Sequence, residues 1–221
     1  TISAGDWDGD GDPDIISGNS YGEVILFRNQ QENGASISRA RFTRPEPLYA
    51  GDAPIRITAG ANGSIQGPNE AHYGYTCPVL CDWNGDGRMD LILSDIWGMH
   101  TYYQRAAGKD ANPDRLLPGV PILCQSPGKD AFVPPWIWHK PRNHELITQW
   151  RCQPAAVDWN RDGVLDLITL DSRGYLALYP GVQDAPQPEV GPPRRCFASP
   201  DGAPIRITNG QAEIIPERCI A

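Results

Sequence analysis

The sequence predicts an all-β protein assembled from three copies of one unit. A nine-residue acidic motif recurs at a fixed interval, and a short apolar run of strand-forming residues follows each copy. Glycine and proline together account for 45 of the 221 residues (23 plus 22), which suits many short strands joined by turns. Hydrophobic residues make up 40% of the chain and include seven tryptophans, so a folded globular protein is expected.

The acidic motif defines the repeat. It reads DWDGDGDPD from Asp6, DWNGDGRMD from Asp82 and DWNRDGVLD from Asp158, so both intervals are 76 residues (82 − 6 and 158 − 82). The match continues in the same register as far as Gly22, Gly98 and Gly174. Self-similarity at one period indicates repeated structural units, which we place at residues 1–75, 76–151 and 152–221.

Each unit is expected to place its first three strands around the motif. The first strand precedes the motif, in the segments TISAG, CPVLCD and QPAAVD. The second strand is the apolar run after the motif, and the third is EVILFR, MHTYYQ or YLALYP. Trp7, Trp83 and Trp159 occupy motif position 2, where we expect them to pack between neighbouring units.

The motif has the composition of a calcium-binding loop. Oxygen-bearing side chains occupy positions 1, 3, 5 and 9, glycine occupies position 6, and position 7 varies as if only its backbone carbonyl were used. Carboxylates this close repel one another beside a buried strand unless a cation lies among them. The predicted ligands of three Ca²⁺ ions, in loops 6–14, 82–90 and 158–166, are Asp6, Asp8, Asp10, Asp12, Asp14, Asp82, Asn84, Asp86, Arg88, Asp90, Asp158, Asn160, Asp162, Val164 and Asp166.

An EF-hand does not fit the residues that follow the motif. That loop needs a bidentate Glu at position 12 and flanking helices. Here position 12 is Ser17, Leu93 or Thr169, and a strand-like run follows position 9. An acidic turn without a metal is the alternative, and it leaves the carboxylate repulsion unexplained three times. A strand–loop–strand calcium site is therefore expected in each unit.

These motifs resemble the FG-GAP repeat, also called the VCBS repeat, of integrin α-chain heads and many secreted bacterial proteins. The resemblance covers all three units, and the metal loop is its most specific part. It implies a β-propeller segment of three four-stranded antiparallel blades, with each calcium loop joining the first two strands. Because propellers usually have about four to eight blades, three blades imply part of a larger ring of seven or eight. Assembly of several chains into one ring is the alternative.

Charge, hydropathy and cysteine content limit the partners and the location. A net charge of −8 speaks against nucleic acid as the main partner, and no apolar run is long enough to span a membrane. Calcium sites imply an extracellular or periplasmic location, where disulfides are permitted. The pairing of the six cysteines is left open, with buried free thiols as the alternative. The remaining blades of the propeller are expected as partners.

A glycan is the expected ligand, on the face opposite the calcium loops. Turns alternate between the two ends of an antiparallel blade, so the turn after the second strand and the connector between blades meet at one end. Aromatic rings there can stack on sugars, while charged groups bond to hydroxyls and carboxylates. The predicted ligand-binding residues are Tyr21, Tyr75, Trp97, His100, Trp136, Trp138, His144 and Arg173.

Two functions of different class suit such a face, of which the first is the expected function and the second is its alternative. One is a polysaccharide lyase, because the segment GSIQGPNEAHYGYT before the second motif resembles secreted bacterial propeller lyases, including rhamnose–glucuronate lyases. β-Elimination needs a cation at the uronate carboxylate, a base and an acid. The candidate catalytic residues are Arg142 as the cation, His72 or His139 as the base, and Tyr73 as the acid. The other function is a non-catalytic lectin-like or adhesion propeller, and a scaffold stiffened by calcium is the third reading.

Overall fold

The structure is a computed structural model that describes residues 1–30, 41–107, 114–125, 137–142, 144–195, 197–200, 202–203, 205–208 and 211–214, with the backbone alone for 208 and 211–214. Eighteen strands lie in these residues, with a one-turn 3₁₀ helix at Pro68–Glu70. The prediction of an all-β protein is therefore confirmed for the described part of the chain. No helix there is long and apolar enough to cross a membrane.

The first unit contains six strands, and four of them form a sheet whose first hairpin carries the acidic motif. Its strands are β1 (Ile2–Gly5), β2 (Asp14–Gly18), β3 (Val24–Phe27), β4 (Glu46–Pro47), β5 (Tyr49–Ala50) and β6 (Ala53–Pro54). The first four pair in chain order, and the pairs are antiparallel. Gly5 lies opposite Asp14, so the acidic loop is the hairpin connection between β1 and β2.

The second unit repeats this arrangement. Its strands are β7 (Cys77–Cys81), β8 (Asp90–Ser94), β9 (His100–Tyr103), β10 (Arg115–Leu116), β11 (Val120–Pro121) and β12 (Leu123–Cys124). The four-stranded antiparallel sheet has the order β7, β8, β9, β11. Cys81 lies opposite Asp90, which matches the register of the first unit.

The third unit has a three-stranded sheet where four strands were expected. Its strands are β13 (Ala155–Val157), β14 (Asp166–Leu170), β15 (Leu176–Tyr179), β16 (Glu189–Val190), β17 (Ile205–Thr208) and β18 (Gln211–Ile214). Strands β13, β14 and β15 pair antiparallel in that order. Arg194 bridges Leu178 of β15 in the place of a fourth strand. The described sheets do not close into a ring, so the propeller remains a prediction.

Connectors of successive units run side by side and form short parallel pairs. Strand β5 pairs with β10, and strand β12 pairs with β16. Each pair joins a connector strand of one unit to a short strand of the next unit. The sheets of the units are antiparallel as predicted, whereas the connectors add this parallel component.

Two hydrophobic cores lie between the three sheets. The first joins side chains such as Ile16 and Leu26 of the first unit to Leu91 of the second. The second core joins Ile92 of the second unit to Leu167 of the third. All five residues of β8 are buried. Because successive residues of a strand point to opposite faces, both faces of β8 are covered. Its continuous apolar run is the sequence signature of this central position.

The motif tryptophans differ in their surroundings. Trp7 is buried in the first core, and the guanidinium carbon of Arg105 in the second unit lies 3.7 Å from its ring centre. Trp83 packs against the second core. Trp159 is 53% exposed and contacts the ring of Phe197. Among the described residues, packing between units is therefore found for the first two tryptophans.

The described cysteines are free thiols. They are Cys77, Cys81, Cys124 and Cys152. Burial raises the pKa of the Cys81 thiol to about 12, so it stays protonated at neutral pH. Cys196 and Cys219 lie outside the described residues, and their pairing stays open.

Candidate calcium loops and aromatic face

The three acidic loops are held by closely similar hydrogen bonds, except that in the first loop Asp6 Oδ1 accepts from the Gly9 amide at 2.8 Å, one residue earlier than in the other two loops. In the second loop, Asp82 Oδ1 accepts from the Asp86 amide at 3.0 Å, and Asp82 Oδ2 accepts from the Gly87 amide at 2.8 Å. Asp86 Oδ1 accepts from the Arg88 amide at 3.0 Å. Equivalent bonds fold the other two loops around Asp6, Asp10, Asp158 and Asp162. The carboxylates are therefore gathered toward the centre of each loop.

Two tight turns bring the carboxylates together. Gly87 has a φ of 83° and Gly85 a φ of 72°, a left-handed conformation that glycine adopts without a steric penalty. In the third loop the residue equivalent to Gly85 is Arg161, with a φ of 63°. A non-glycine residue in this conformation costs about 1–2 kcal/mol. The loop geometry is thus kept in the third unit despite local strain.

The last aspartate of each motif is buried at the start of the second strand. Asp90 accepts hydrogen bonds from the Tyr102 hydroxyl and the Arg105 amide, both at 2.7 Å. Burial raises the pKa of Asp90 and of its equivalent Asp14, and neighbouring loop carboxylates raise both further. A cation in the loop would oppose both effects because it favours the ionised carboxylate.

The donor set and spacing of the first loop fit a calcium ion. One carboxylate oxygen from each of Asp6, Asp8 and Asp14 lies within 4.8 Å of the others. Calcium–oxygen distances of about 2.3–2.6 Å allow one ion to contact oxygens that far apart. The second and third loops offer Asn84 and Asn160 in place of Asp8. Their amide oxygens are hard ligands of the same kind.

Arginines already pair with some loop carboxylates. The Arg88 Nη2 lies 2.6 Å from Asp86 Oδ2, and this hydrogen bond lowers the pKa of Asp86. In the first loop, Arg28 Nη1 lies 3.2 Å from Asp8 Oδ2. Arg28 also contacts Asp114, a residue of the second unit. Arg88 was expected to contribute only its backbone carbonyl, so these side-chain contacts were not predicted.

A continuous group of rings, with one arginine among them, lies at the opposite end of the sheets from the acidic loops. We call it the aromatic band, and its members are Tyr21, Tyr73, Tyr75, Arg151, Trp150, Trp138, Trp97 and His139. Neighbouring ring centres are 5.4 Å apart for Tyr21 and Tyr73, and 4.9 Å apart for Trp97 and Trp138. Tyr73 and Tyr75 are 5.6 Å apart, and Trp138 and Trp150 are 6.1 Å apart.

The strand topology explains why these residues meet. Tyr21 and Trp97 lie in the turns that follow β2 and β8, whereas the other members lie on connectors between units. The Gly74 amide donates to Ser20 O at 2.9 Å, and the Ile96 amide donates to Gly74 O at 2.8 Å. The first connector is therefore fixed between two successive turns.

Arg151 occupies the centre of the aromatic band. Its guanidinium carbon lies 3.8 Å from the Tyr75 ring centre and 4.1 Å from the Trp150 ring centre. Its Nη2 donates to Glu70 Oε1 at 2.7 Å and to Gln66 Oε1 at 3.2 Å. Arg151 thereby joins the two connectors, since it bonds to a carboxylate 81 residues away.

Glu70 is a buried carboxylate with several donors. The Tyr75 hydroxyl donates to Glu70 Oε1 at 3.1 Å, and the Ser64 hydroxyl donates to Glu70 Oε2. Burial acts to raise the pKa of Glu70, but these hydrogen bonds and the charge of Arg151 outweigh it and hold the pKa below its ordinary value. Glu70 is therefore ionised at neutral pH, and its charge is matched by that of Arg151.

Arg151 and Trp150 are members of this site that were not predicted from the sequence. The repeat interval could have indicated Arg151, because it lies 76 residues after Tyr75 (151 − 75), a predicted site residue. Both residues have a positive φ, of 59° and 48°. The repeat register therefore marks the position, although the residue types differ.

Four polar nitrogens in the aromatic band are buried and have no hydrogen-bond partner among the described residues. They are Trp138 Nε1, both ring nitrogens of His139 and Arg151 Nε. Burial lowers the pKa of His139, whose ring lies edge-on to Trp97 with centres 5.0 Å apart. The His139 ring is therefore neutral at pH 7.

The remaining predicted residues lie in varied positions. His72, Arg142, His144 and Arg173 are exposed, and the backbone amide of Arg142 donates to Glu145 at 2.7 Å. The ring of His100 is buried, with its Nε2 2.8 Å from Thr148 Oγ1, and burial lowers its pKa to about 4. His100 therefore lies beneath the face rather than on it, because β9 is covered by the neighbouring unit. Trp136 lies outside the described residues.

Comparison with known proteins gives a family match and a distant structural similarity. No curated protein matches the chain. The chain is 14% identical to a chain in the structure of the Tc holotoxin pore of Photorhabdus luminescens, with a TM-score of 0.31. The similarity covers 96% of this chain but spans only 11% of that one. Residues 6–93 match the FG-GAP-like repeat family, so the chain carries FG-GAP-like repeat sequence across its first two acidic loops.

Proposed function

We propose that this chain is a calcium-stabilised β-propeller segment that binds glycan through its aromatic band. The observation that carries the proposal is the band itself, a joined row of rings and hydrogen-bond donors on the face away from the acidic loops. Sugar rings bind proteins by stacking on aromatic faces while their hydroxyls take hydrogen bonds. The FG-GAP-like match supports the propeller, and further blades would complete the ring.

Calcium has a structural role in this proposal. Each acidic loop joins the first two strands of its unit, at the end of the sheet away from the aromatic band. An ion there neutralises carboxylates that otherwise repel one another, including the buried Asp14 and Asp90. Weak calcium sites of this kind fill at extracellular concentrations, which supports an extracellular or periplasmic location.

Glycan binding is tested with a matched pair of tyrosine variants. Tyr21 is 51% exposed at the end of the aromatic band, and Tyr49 is 38% exposed outside the band. We expect Tyr21→Ala to weaken binding by roughly five- to tenfold, the effect of about 1 kcal/mol of lost stacking. Tyr49→Ala should leave the affinity unchanged. Glycan affinity is measured by calorimetry. Equal affinities of the two variants would contradict the proposal.

A polysaccharide lyase is the second candidate, and His139 favours it. Its ring is neutral and both ring nitrogens have no partner among the described residues, so it can accept a proton. Arg142, three residues along the chain, is an exposed cation suited to a uronate carboxylate. The test is the ultraviolet absorbance of the unsaturated product on incubation with uronate polysaccharides.

The lyase candidate makes a separable prediction. We expect His139→Gln or His72→Gln to abolish product formation while glycan binding is retained, depending on which histidine is the base. If uronate polysaccharides bind and no unsaturated product forms, the lyase reading is wrong and the lectin-like reading stands.

A further inference from the structure

The centre of the aromatic band has donors that require an acceptor from outside the described residues. Trp138 Nε1 and Arg151 Nε are buried N–H groups without a described partner, and so is the protonated ring nitrogen of the neutral His139. More than about 90% of buried polar groups in proteins are paired, and an unpaired one is costly. Several unpaired nitrogens in one place therefore point to a ligand rich in oxygen acceptors.

These groups lie on side chains that contact the ring of Trp150 or, for His139, the ring of Trp138. Trp150 lies with its ring centre 6.1 Å from that of Trp138 and 4.1 Å from the guanidinium carbon of Arg151. The ring centre of His139 is 6.1 Å from that of Trp138. All four side chains are partly exposed, so a ligand can reach their outer edges, whereas the nitrogens themselves are covered and a side chain must turn for a ligand oxygen to reach them. We call these four residues the Trp150 subsite.

The Trp150 subsite carries no net charge. The Arg151 guanidinium is 2.7 Å from the carboxylate of Glu70, which neutralises it. The His139 ring is neutral at pH 7. The donors of Trp138 and Arg151 are therefore available without an uncompensated positive charge, and a ligand carboxylate would lie near the carboxylate of Glu70.

We infer that the Trp150 subsite binds an uncharged sugar residue, with its ring against the tryptophans and its hydroxyl oxygens accepting from Trp138 and Arg151. This inference deepens the proposed glycan binding and rests on it. A uronate carboxylate is disfavoured here because it would lose water without gaining net attraction, since the charge of Glu70 offsets that of Arg151. In an acidic glycan, the uncharged residues would occupy this subsite and the uronates would lie beside it.

The test compares neutral and uronate oligosaccharides of equal length by calorimetry. We expect the wild-type protein to bind the neutral series several-fold more tightly. Glu70→Gln keeps the side chain's size but leaves the charge of Arg151 uncompensated. That variant should shift the preference toward uronates by about fivefold, the size of a partly exposed charge interaction. Glu23→Gln is the matched control, because it removes a carboxylate from the ion pair with Arg56 outside the subsite.

A second variant guards against misfolding of the first. Arg151→Lys keeps the ion pair with Glu70 but removes the Nε donor and the planar stacking group. We expect weaker binding of the neutral series with the charge preference unchanged, at a melting temperature close to that of the wild type. Tighter binding of uronates by the wild type, or no shift in Glu70→Gln, would overturn the inference. Binding of neither series would instead overturn the proposed glycan binding together with it.

Discussion

The hydroxyl of Tyr102 links the second acidic loop to the core, and its removal is the sharpest test of that link. Tyr102 Oη donates to Asp90 Oδ2 at 2.7 Å, and Asp90 is fully buried. Tyr102→Phe leaves this carboxylate with the Arg105 amide as its other described donor. A hydrogen bond to a charged group contributes about 1.5–3 kcal/mol. We therefore expect the free energy of unfolding to fall by about that amount.

Tyr103→Phe provides the matched control for this prediction. Tyr103 is the next residue in β9 and is buried in the other core, and its hydroxyl makes no described hydrogen bond. Its replacement should change the unfolding free energy by less than about 0.5 kcal/mol. Urea unfolding in calcium buffer, followed by tryptophan fluorescence, measures both variants. Equal effects at the two positions would refute the assignment of Tyr102 as the support of Asp90.

Three further predictions concern charge, packing and close backbone approach. Burial raises the pKa of Asp95 from 3.8 to about 7, so the proton that Asp95 holds in the folded state stabilises the fold fully below pH 3.8, and this contribution is lost as pH rises from there to 7. Asp95→Asn should therefore remove a fall in unfolding free energy between about pH 4 and 7, measured by urea unfolding. Leu91→Ala should cost about 2–5 kcal/mol because Leu91 is fully buried between two sheets, whereas the exposed Leu117→Ala should cost little in the same assay. Gly18→Ala should lower the melting temperature, since a Cβ at Gly18 would lie 2.1 Å from Thr76 O, and an unchanged melting curve would contradict that close packing of the first two units.

The strands around the motifs were predictable from sequence because local pattern determines them. The segment CPVLCD predicted the strand Cys77–Cys81, and EVILFR predicted Val24–Phe27. An apolar run bounded by the acidic loop and a glycine turn leaves little freedom in the register. The connector strands were not predictable, since β5 and β12 are two residues long and each takes a partner strand from the next unit.

The aromatic face was predicted in part. Antiparallel topology correctly brought Tyr21 to Tyr73, and Trp97 to Trp138. The pairing of Arg151 with Glu70 depends on how two connectors fold against each other, and residue type alone does not indicate it. The repeat interval would have drawn attention to Arg151, because it falls at the position of Tyr75.

The burial of His100 shows a second limit of sequence reasoning. The residue begins β9 close to the turn, as expected, but alternation along the strand directs its ring inward. Its partner Thr148 belongs to a connector 48 residues later. Which face of a short strand is covered depends on the neighbouring unit, and the local sequence does not report it.

Calcium titration of the metal-free protein tests the central proposal most directly. Isothermal calorimetry should give three ions per chain, and saturation should raise the melting temperature. Asn substitution of Asp6 and Asp14 should remove one of these ions and leave the other two, because each loop is built from its own hairpin. Absence of binding at millimolar calcium, with a melting curve identical in chelator, would contradict calcium binding by the acidic loops.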